Sequence, residues 1–240
     1  MRSYRHLGRA LVAAVAMAGA VPAGAQVTLG QVDTFTGGSP EGWFFGGGPG
    51  GVPVTPAATE ATGGPGGAGD AFMRLTSNGR SGPGSRLSIL NGTQWSGDYL
   101  TAGVGAIQMD LRNSGNTDLS LRLFFEVIGA MGPTDIAFST TPVVLAAGSD
   151  WTRVVFPIVG GLTNSPIPGS SIVDALSNTM FLRFGHSPNP LGGPEPFPQI
   201  AAQLDVDNIA AIAAVPEPST VALLGGGLLA LVAARRRRAR

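Results

Sequence analysis

Leu119-Ser120-Leu121-Arg122-Leu123-Phe124-Phe125-Glu126-Val127 alternates between two kinds of side chain over nine positions. Successive side chains of a strand point to opposite faces. Leu119, Leu121, Leu123, Phe125 and Val127 therefore share a buried face, and Ser120, Arg122, Phe124 and Glu126 share a mixed one. Outward from this run the theme repeats at Arg86–Leu90, Ala106–Leu111, Thr134–Ser139, Trp151–Ile158, Met180–Phe184 and Gln203–Ile209. Turn signals separate the runs: Asn113-Ser114-Gly115-Asn116, Gly129-Ala130-Met131-Gly132-Pro133, Ala147-Gly148-Ser149-Asp150 and Pro188-Asn189-Pro190. Only Ile172–Leu176 invites a short helix. Many short strands without long helical patterns predict an all-β domain, an antiparallel β-sandwich over Gln26–Ala214. Its expected core includes Leu121, Leu123, Phe125, Val127, Val155, Leu182 and Val206.

Composition agrees. The chain has 37 glycines and 19 prolines in 240 residues, about twice ordinary usage, which favours turns and short strands. Thirteen of those glycines and five of the prolines fall between Gly37 and Gly69, a stretch predicted to form long surface loops. There is no cysteine, so thiol nucleophiles, zinc-thiolate sites and disulfides are excluded. All 15 basic residues are arginine, which removes Schiff-base chemistry and a phosphate-loop lysine. His6 and His186 are the only imidazoles. The nominal net charge of zero hides arginines gathered at the two ends. Between Gln26 and Ala214 seven arginines face fourteen acids, a surplus of negative charge that makes nucleic acid an unsuitable partner.

The ends carry the sharpest signals. A basic stretch Met1–Arg9, an apolar run Ala10–Val21 and small residues at Ala23 and Ala25 read as an export signal over residues 1–25. Signal peptidase would cut between Ala25 and Gln26. At the other end, residues 215–240 place Val215-Pro216-Glu217-Pro218-Ser219-Thr220 before the apolar stretch Val221–Ala234, followed by Arg235, Arg236, Arg237, Arg238 and Arg240. Fourteen helical residues rise about 21 Å against a hydrocarbon core of about 30 Å, so snorkelling arginines must complete the span. The basic cluster then stays cytoplasmic, and everything before Pro216 lies on the export side. Two prolines around Glu217 make an extended segment at the membrane surface that an enzyme can read.

This tripartite tail resembles the PEP-CTERM sorting signal of Gram-negative bacteria, in the order Pro216-Glu217-Pro218-Ser219, transmembrane segment 221–234, Arg cluster 235–240. The resemblance implies recognition by an exosortase, a transient inner-membrane precursor, and delivery to the cell surface or the exopolysaccharide matrix. A permanent C-terminal anchor is the alternative.

The body resembles jelly-roll domains of the galactose-binding or carbohydrate-binding-module type, through Asp33-Thr34-Phe35, Gly42-Trp43 and the closing run Leu204-Asp205-Val206-Asp207-Asn208-Ile209. That resemblance implies a polysaccharide ligand and a structural calcium ion joining the first and last strands, with Asp33 and Asp207 as its ligands. Trp43, Trp95 and Tyr99 are the candidates for stacking on a sugar, unless they anchor loops to the core. A catalytic reading would need a base or a pair of acids. His186, at a strand end, and a pair such as Glu41 with Glu126 are the available candidates, and nothing in the sequence pairs them. Three readings remain: a noncatalytic surface or matrix protein, an extracellular polysaccharide hydrolase, and a structural protein held by its C-terminal helix.

Overall fold

A computed structural model describes residues 26–46, 55–81, 84–191 and 197–214. The described chain runs β1 (Val32–Asp33), β2 (Phe44–Phe45), β3 (Thr55–Pro56), β4 (Ala58–Glu60), β5 (Phe72–Asn78), β6 (Ser88–Asn91), β7 (Ala106–Arg112) and β8 (Leu119–Gly129). It continues through β9 (Gly132–Ser139), β10 (Val143–Leu145), β11 (Thr152–Pro157), β12 (Leu162–Asn164), α1 (Ile172–Ser177), β13 (Phe181–His186) and β14 (Ala201–Ile212). These strands form two antiparallel sheets. One has six strands in the order β11-β7-β14-β5-β4, with β1 on the far half of β14; the other has eight, β12-β9-β8-β13-β6-β2-β3, with β10 continuing beside β8. The antiparallel β-sandwich expected from the alternating runs is the fold of the described body.

The deciding stretch behaves as its pattern dictates. Leu119, Leu121, Leu123 and Phe125 of β8 are all buried in the core between the sheets, where β13 contributes Leu182 and Phe184. From the six-stranded sheet come Met73, Leu75, Ile107, Met109, Leu111, Leu204 and Val206. Phe156 of β11 meets Phe184 edge-on at 5.8 Å, tying the two layers together. Gly185 of β13 lies so close to β6 that a Cβ there would sit 2.3 Å from the Leu87 carbonyl oxygen, so this crossing needs glycine.

Two expectations are corrected. Val155 is not core: it is paired with Gln108 on the outward face of β11, while the neighbouring Phe156 fills the interior. Val127 is only partly buried, because the pairing of β8 with β9 shifts register between Val127 and Ile128 and ends the strict alternation. The glycine-rich stretch also does more than loop. β2 and β3 extend one edge of the eight-stranded sheet and β4 forms an edge of the other. No helix among the described residues is long and apolar enough to cross a membrane. The stretch 221–234 lies outside them, as do Ala25, Pro216, Glu217, Pro218, Ser219 and the arginines at 235–238 and 240.

Candidate functional site

Three groups of side chains carry chemistry: a buried indole node, and the outer face of each sheet. The node centres on Asp33 of β1. Its Oδ2 accepts hydrogen bonds from Trp43 Nε1 at 2.7 Å, Trp95 Nε1 at 2.6 Å and Gln94 Nε2 at 3.1 Å. Tyr99 donates its hydroxyl to the Trp95 carbonyl at 2.8 Å and packs edge-on against Phe125. Burial raises the Asp33 pKa, and the indole and amide donors lower it in part. Burial, followed by the Asp33 charge, holds the Tyr99 phenol well above its ordinary value. Trp43, Trp95 and Tyr99 are each 0% exposed. A ring with no exposed face cannot stack on a sugar, so these three are the core anchors of their loops.

The same contacts bear on the calcium expectation. Asp33 is directed at indole N–H groups, whereas calcium needs six to eight oxygens. Asp207 lies on β14 near the β1 pairing, and its carboxylate oxygens accept from the backbone and side-chain nitrogens of Asn208. Among the described residues no three His, Cys, Asp or Glu side chains converge to hold a metal ion. The donor set around Asp33 and Asp207 does not fit a calcium cage built from side chains.

The outer face of the six-stranded sheet is closed by ion pairs. Asp205 is fully buried between two arginines, accepting from Arg74 Nε at 2.7 Å and from Arg112 Nε at 2.9 Å. Both guanidinium groups lie over the Phe72 ring, at 5.1 and 5.3 Å, and Arg112 also covers Trp151 at 4.8 Å. Asp110 and Asp207 stand directly opposite each other on β7 and β14, a like-charge pair that is unfavourable unless compensated. Arg153 binds Asp110 through both oxygens, and Asn208 Nδ2 donates to Asp110 and to Asp207. Asp207 is still pushed up to about 7, chiefly by burial, with Asp70, Asp110 and Glu41 adding repulsion.

The eight-stranded sheet presents a different outer face, centred on aromatic rings. Phe124 and Phe138 are cross-strand neighbours with centroids 5.5 Å apart, and Phe197 packs on Phe124 at 4.7 Å. Phe44 and Phe181 meet edge-on at 6.3 Å and are half-buried. Beside them Arg183 forms an ion pair with Glu126 at 2.8 Å and covers the Phe197 ring at 5.3 Å. Ser88 Oγ, on the strand next to Arg183, is buried without a hydrogen-bond partner. In the sequence Phe44 follows Gly42-Trp43 in a stretch too short to show a strand period, and Phe124 is the one apolar member of the mixed face of β8.

The catalytic candidates are otherwise engaged. His186 Nδ1 accepts from the Ser120 backbone N–H at 3.0 Å, and burial lowers its pKa, so the imidazole is a neutral acceptor. Glu126 is held by Arg183, and Glu41 accepts from the Phe35 N–H.

Comparison with known proteins places this geometry. No curated protein matches the sequence. Among solved structures, the chain is similar to the family 11 carbohydrate-binding module from Clostridium thermocellum, in complex with a beta-1,3-1,4-mixed-linked tetrasaccharide, at 15% identity and a TM-score of 0.49, covering 79% of this chain and 99% of that one. It is similar to the CBM22-1 xylan-binding domain from Paenibacillus barcinonensis, at 14% identity and a TM-score of 0.44 over 79% and 99% of the two chains. An exo-beta-agarase chain matches at 11% identity and a TM-score of 0.51, covering 80% of this chain and 26% of the enzyme. These likenesses concern the fold, a jelly-roll β-sandwich. The PEP-CTERM protein-sorting motif matches residues 214–238 and implies export and processing by an exosortase. The chain thus carries a PEP-CTERM protein-sorting motif at residues 214–238, following a β-sandwich of the jelly-roll kind.

Proposed function

We propose that this is an exported, noncatalytic surface or matrix protein whose β-sandwich binds polysaccharide on the outer face of the eight-stranded sheet. The observation that carries the reading is the pairing of half-buried Phe44 and Phe181 with the Arg183–Glu126 ion pair on one face. Pyranose rings present apolar C–H faces and equatorial hydroxyls. Recognition needs aromatic surface for the first and fixed donors and acceptors for the second. The noncatalytic part rests on the engagement of His186, Glu126 and Glu41, each of which is already held by a structural partner.

Signal peptidase removes residues 1–25, and an exosortase reads Pro216-Glu217-Pro218 while segment 221–234 holds the precursor in the inner membrane of a Gram-negative cell. Two measurements test the proposal. Replacing Pro216, Glu217 and Pro218 with alanine should leave full-length protein in the inner membrane; normal surface delivery of that variant would reject the sorting claim. Incubating the exported protein with a panel of soluble glucans, xylans and bacterial exopolysaccharides should show retention without release of product. Product release would replace this reading with that of a hydrolase.

A further inference from the structure

The sorting tail leaves the sandwich at one defined place. The Gly105 N–H donates to the Ile212 carbonyl at 2.8 Å, and the Gly105 carbonyl accepts from Ile158 and Val159. Ala214 lies so close that a Cβ on Gly105 would sit 2.1 Å from its nitrogen. On the other side of β14, the Gly30 N–H donates to the Ala211 carbonyl at 2.8 Å. The exit is therefore clamped between the segments around Gly30, Gly105 and Val159. The turn Asp98–Val104 leads directly into Gly105 and shares a shallow depression with Gln26, Thr28 and Leu29.

These segments share a surface character. Leu29, Leu100 and Val159 are exposed by 51%, 46% and 68%. Residues 26–32, 97–106, 157–161 and 210–214 contain a single charged side chain, Asp98, in a body otherwise rich in acids. Six residues separate Ala214 from Val221, where the apolar run begins. Fully extended, they reach about 20 Å. While the precursor is anchored, the end of the sandwich that carries Leu29, Leu100 and Val159 cannot leave the neighbourhood of the lipid headgroups.

We propose that this nearly uncharged, apolar end is a lipid-contacting surface that rests on the membrane interface in the anchored precursor and holds Pro216-Glu217-Pro218 at the depth where the sorting enzyme works. The proposal rests on the sorting reading above and adds the orientation of the domain. Three aliphatic side chains bind a bilayer weakly by themselves. The tether makes the contact intramolecular, at an effective concentration that lets a weak contact be occupied. The scarcity of charge also spares the acidic body repulsion from anionic lipid. Once the tail is cut the tether is lost, and the same weak contact lets the domain go.

A chain without cysteine makes the test clean. Val159→Cys and Val144→Cys, matched in exposure at 68% and 66%, each give a single labelling site. Val144 is paired with Ser120 near the start of β8, beyond the far end of β7 from Gly105. The full chain, labelled with a polarity-sensitive dye, is reconstituted in vesicles of phosphatidylethanolamine and phosphatidylglycerol. Resistance to alkaline extraction reports insertion of the tail separately. With the tail inserted, the dye at 159 should shift to the blue and be quenched by spin-labelled lipid, and the dye at 144 should do neither. Adding Leu29→Ser and Leu100→Ser should reduce quenching at 159 without changing extraction. Equal behaviour at the two sites in extraction-resistant protein overturns the proposal and leaves sorting standing. A shift that appears only when an exosortase is co-reconstituted overturns it in favour of an enzyme contact. Protein that extracts freely overturns the membrane anchorage itself, and this inference with it.

Discussion

Two sets of aromatic rings, which meet in the sequence at the adjacent residues Trp43 and Phe44, do opposite work. Trp43 and Trp95 are closed around Asp33, their N–H groups satisfied inside the protein. Phe44 and Phe181 have no polar tip to satisfy and remain half-buried on the outer face of the eight-stranded sheet. The residues with the richest recognition chemistry are thus consumed by the fold, and plainer rings are left on the surface. An aromatic side chain with a polar handle goes where a partner for the handle exists, and Asp33 supplies one.

The comparison can be broken most severely at Asp33. Asp33→Ala leaves two indole N–H groups buried without an acceptor and should cost about 2–5 kcal/mol, read as a lower urea midpoint. A loss below about 1 kcal/mol would mean that the node does not hold the loops. Next is Asp205 on the opposite outer face. Asp205→Ala leaves Arg74 and Arg112 without their shared carboxylate and should destabilise by about 2–4 kcal/mol, less than a fully enclosed pair because both arginines are partly exposed. Polysaccharide binding by the folded fraction of that variant should be unchanged.

A pH series sharpens the contrast between the sheet faces. Asp207 titrates near 7 in the folded protein, above its ordinary value of 3.8. A raised carboxyl contributes stability that is fully present below about pH 4 and is lost as pH rises through 7. Asp207→Asn should therefore flatten the decline in stability between pH 4 and 8, and an unchanged slope would contradict the assignment. The smallest effect is expected from calcium. Melting in calcium and in chelator should give the same midpoint, whereas a rise with calcium would show that backbone carbonyls complete a shell around Asp207.

The contrast also marks what the sequence could and could not disclose. Alternation over Leu119–Phe125 is a property of consecutive residues, so β8 and its core face were legible, as were β7, β11, β13 and β14 to within a few residues. Strands of two or three residues such as β2, β3 and β4 are too short to show a period, and the surrounding glycines masked them. The fate of Trp95 depends on Asp33, sixty-two residues earlier, and no local pattern records that bond. Val155 departs from the expected core for a related reason: three consecutive apolar residues, Val154-Val155-Phe156, leave the inward side ambiguous until β7 pairs with them. The tail was readable because its signal is linear, a motif, an apolar run and a basic cluster in fixed order.

The central claim is that the outward rings, not the buried indoles, recognise polysaccharide. The direct test is affinity electrophoresis of the exported protein in gels containing soluble glucans, xylans or bacterial exopolysaccharides, comparing wild type with Phe44→Ala/Phe181→Ala. Both rings are partly exposed, so the double variant should stay folded at a cost of about 1–2 kcal/mol. Retention should fall to that of a gel without polysaccharide, while the urea transition remains cooperative. Undiminished retention in the folded double variant would contradict the account and move the binding surface elsewhere on the sandwich.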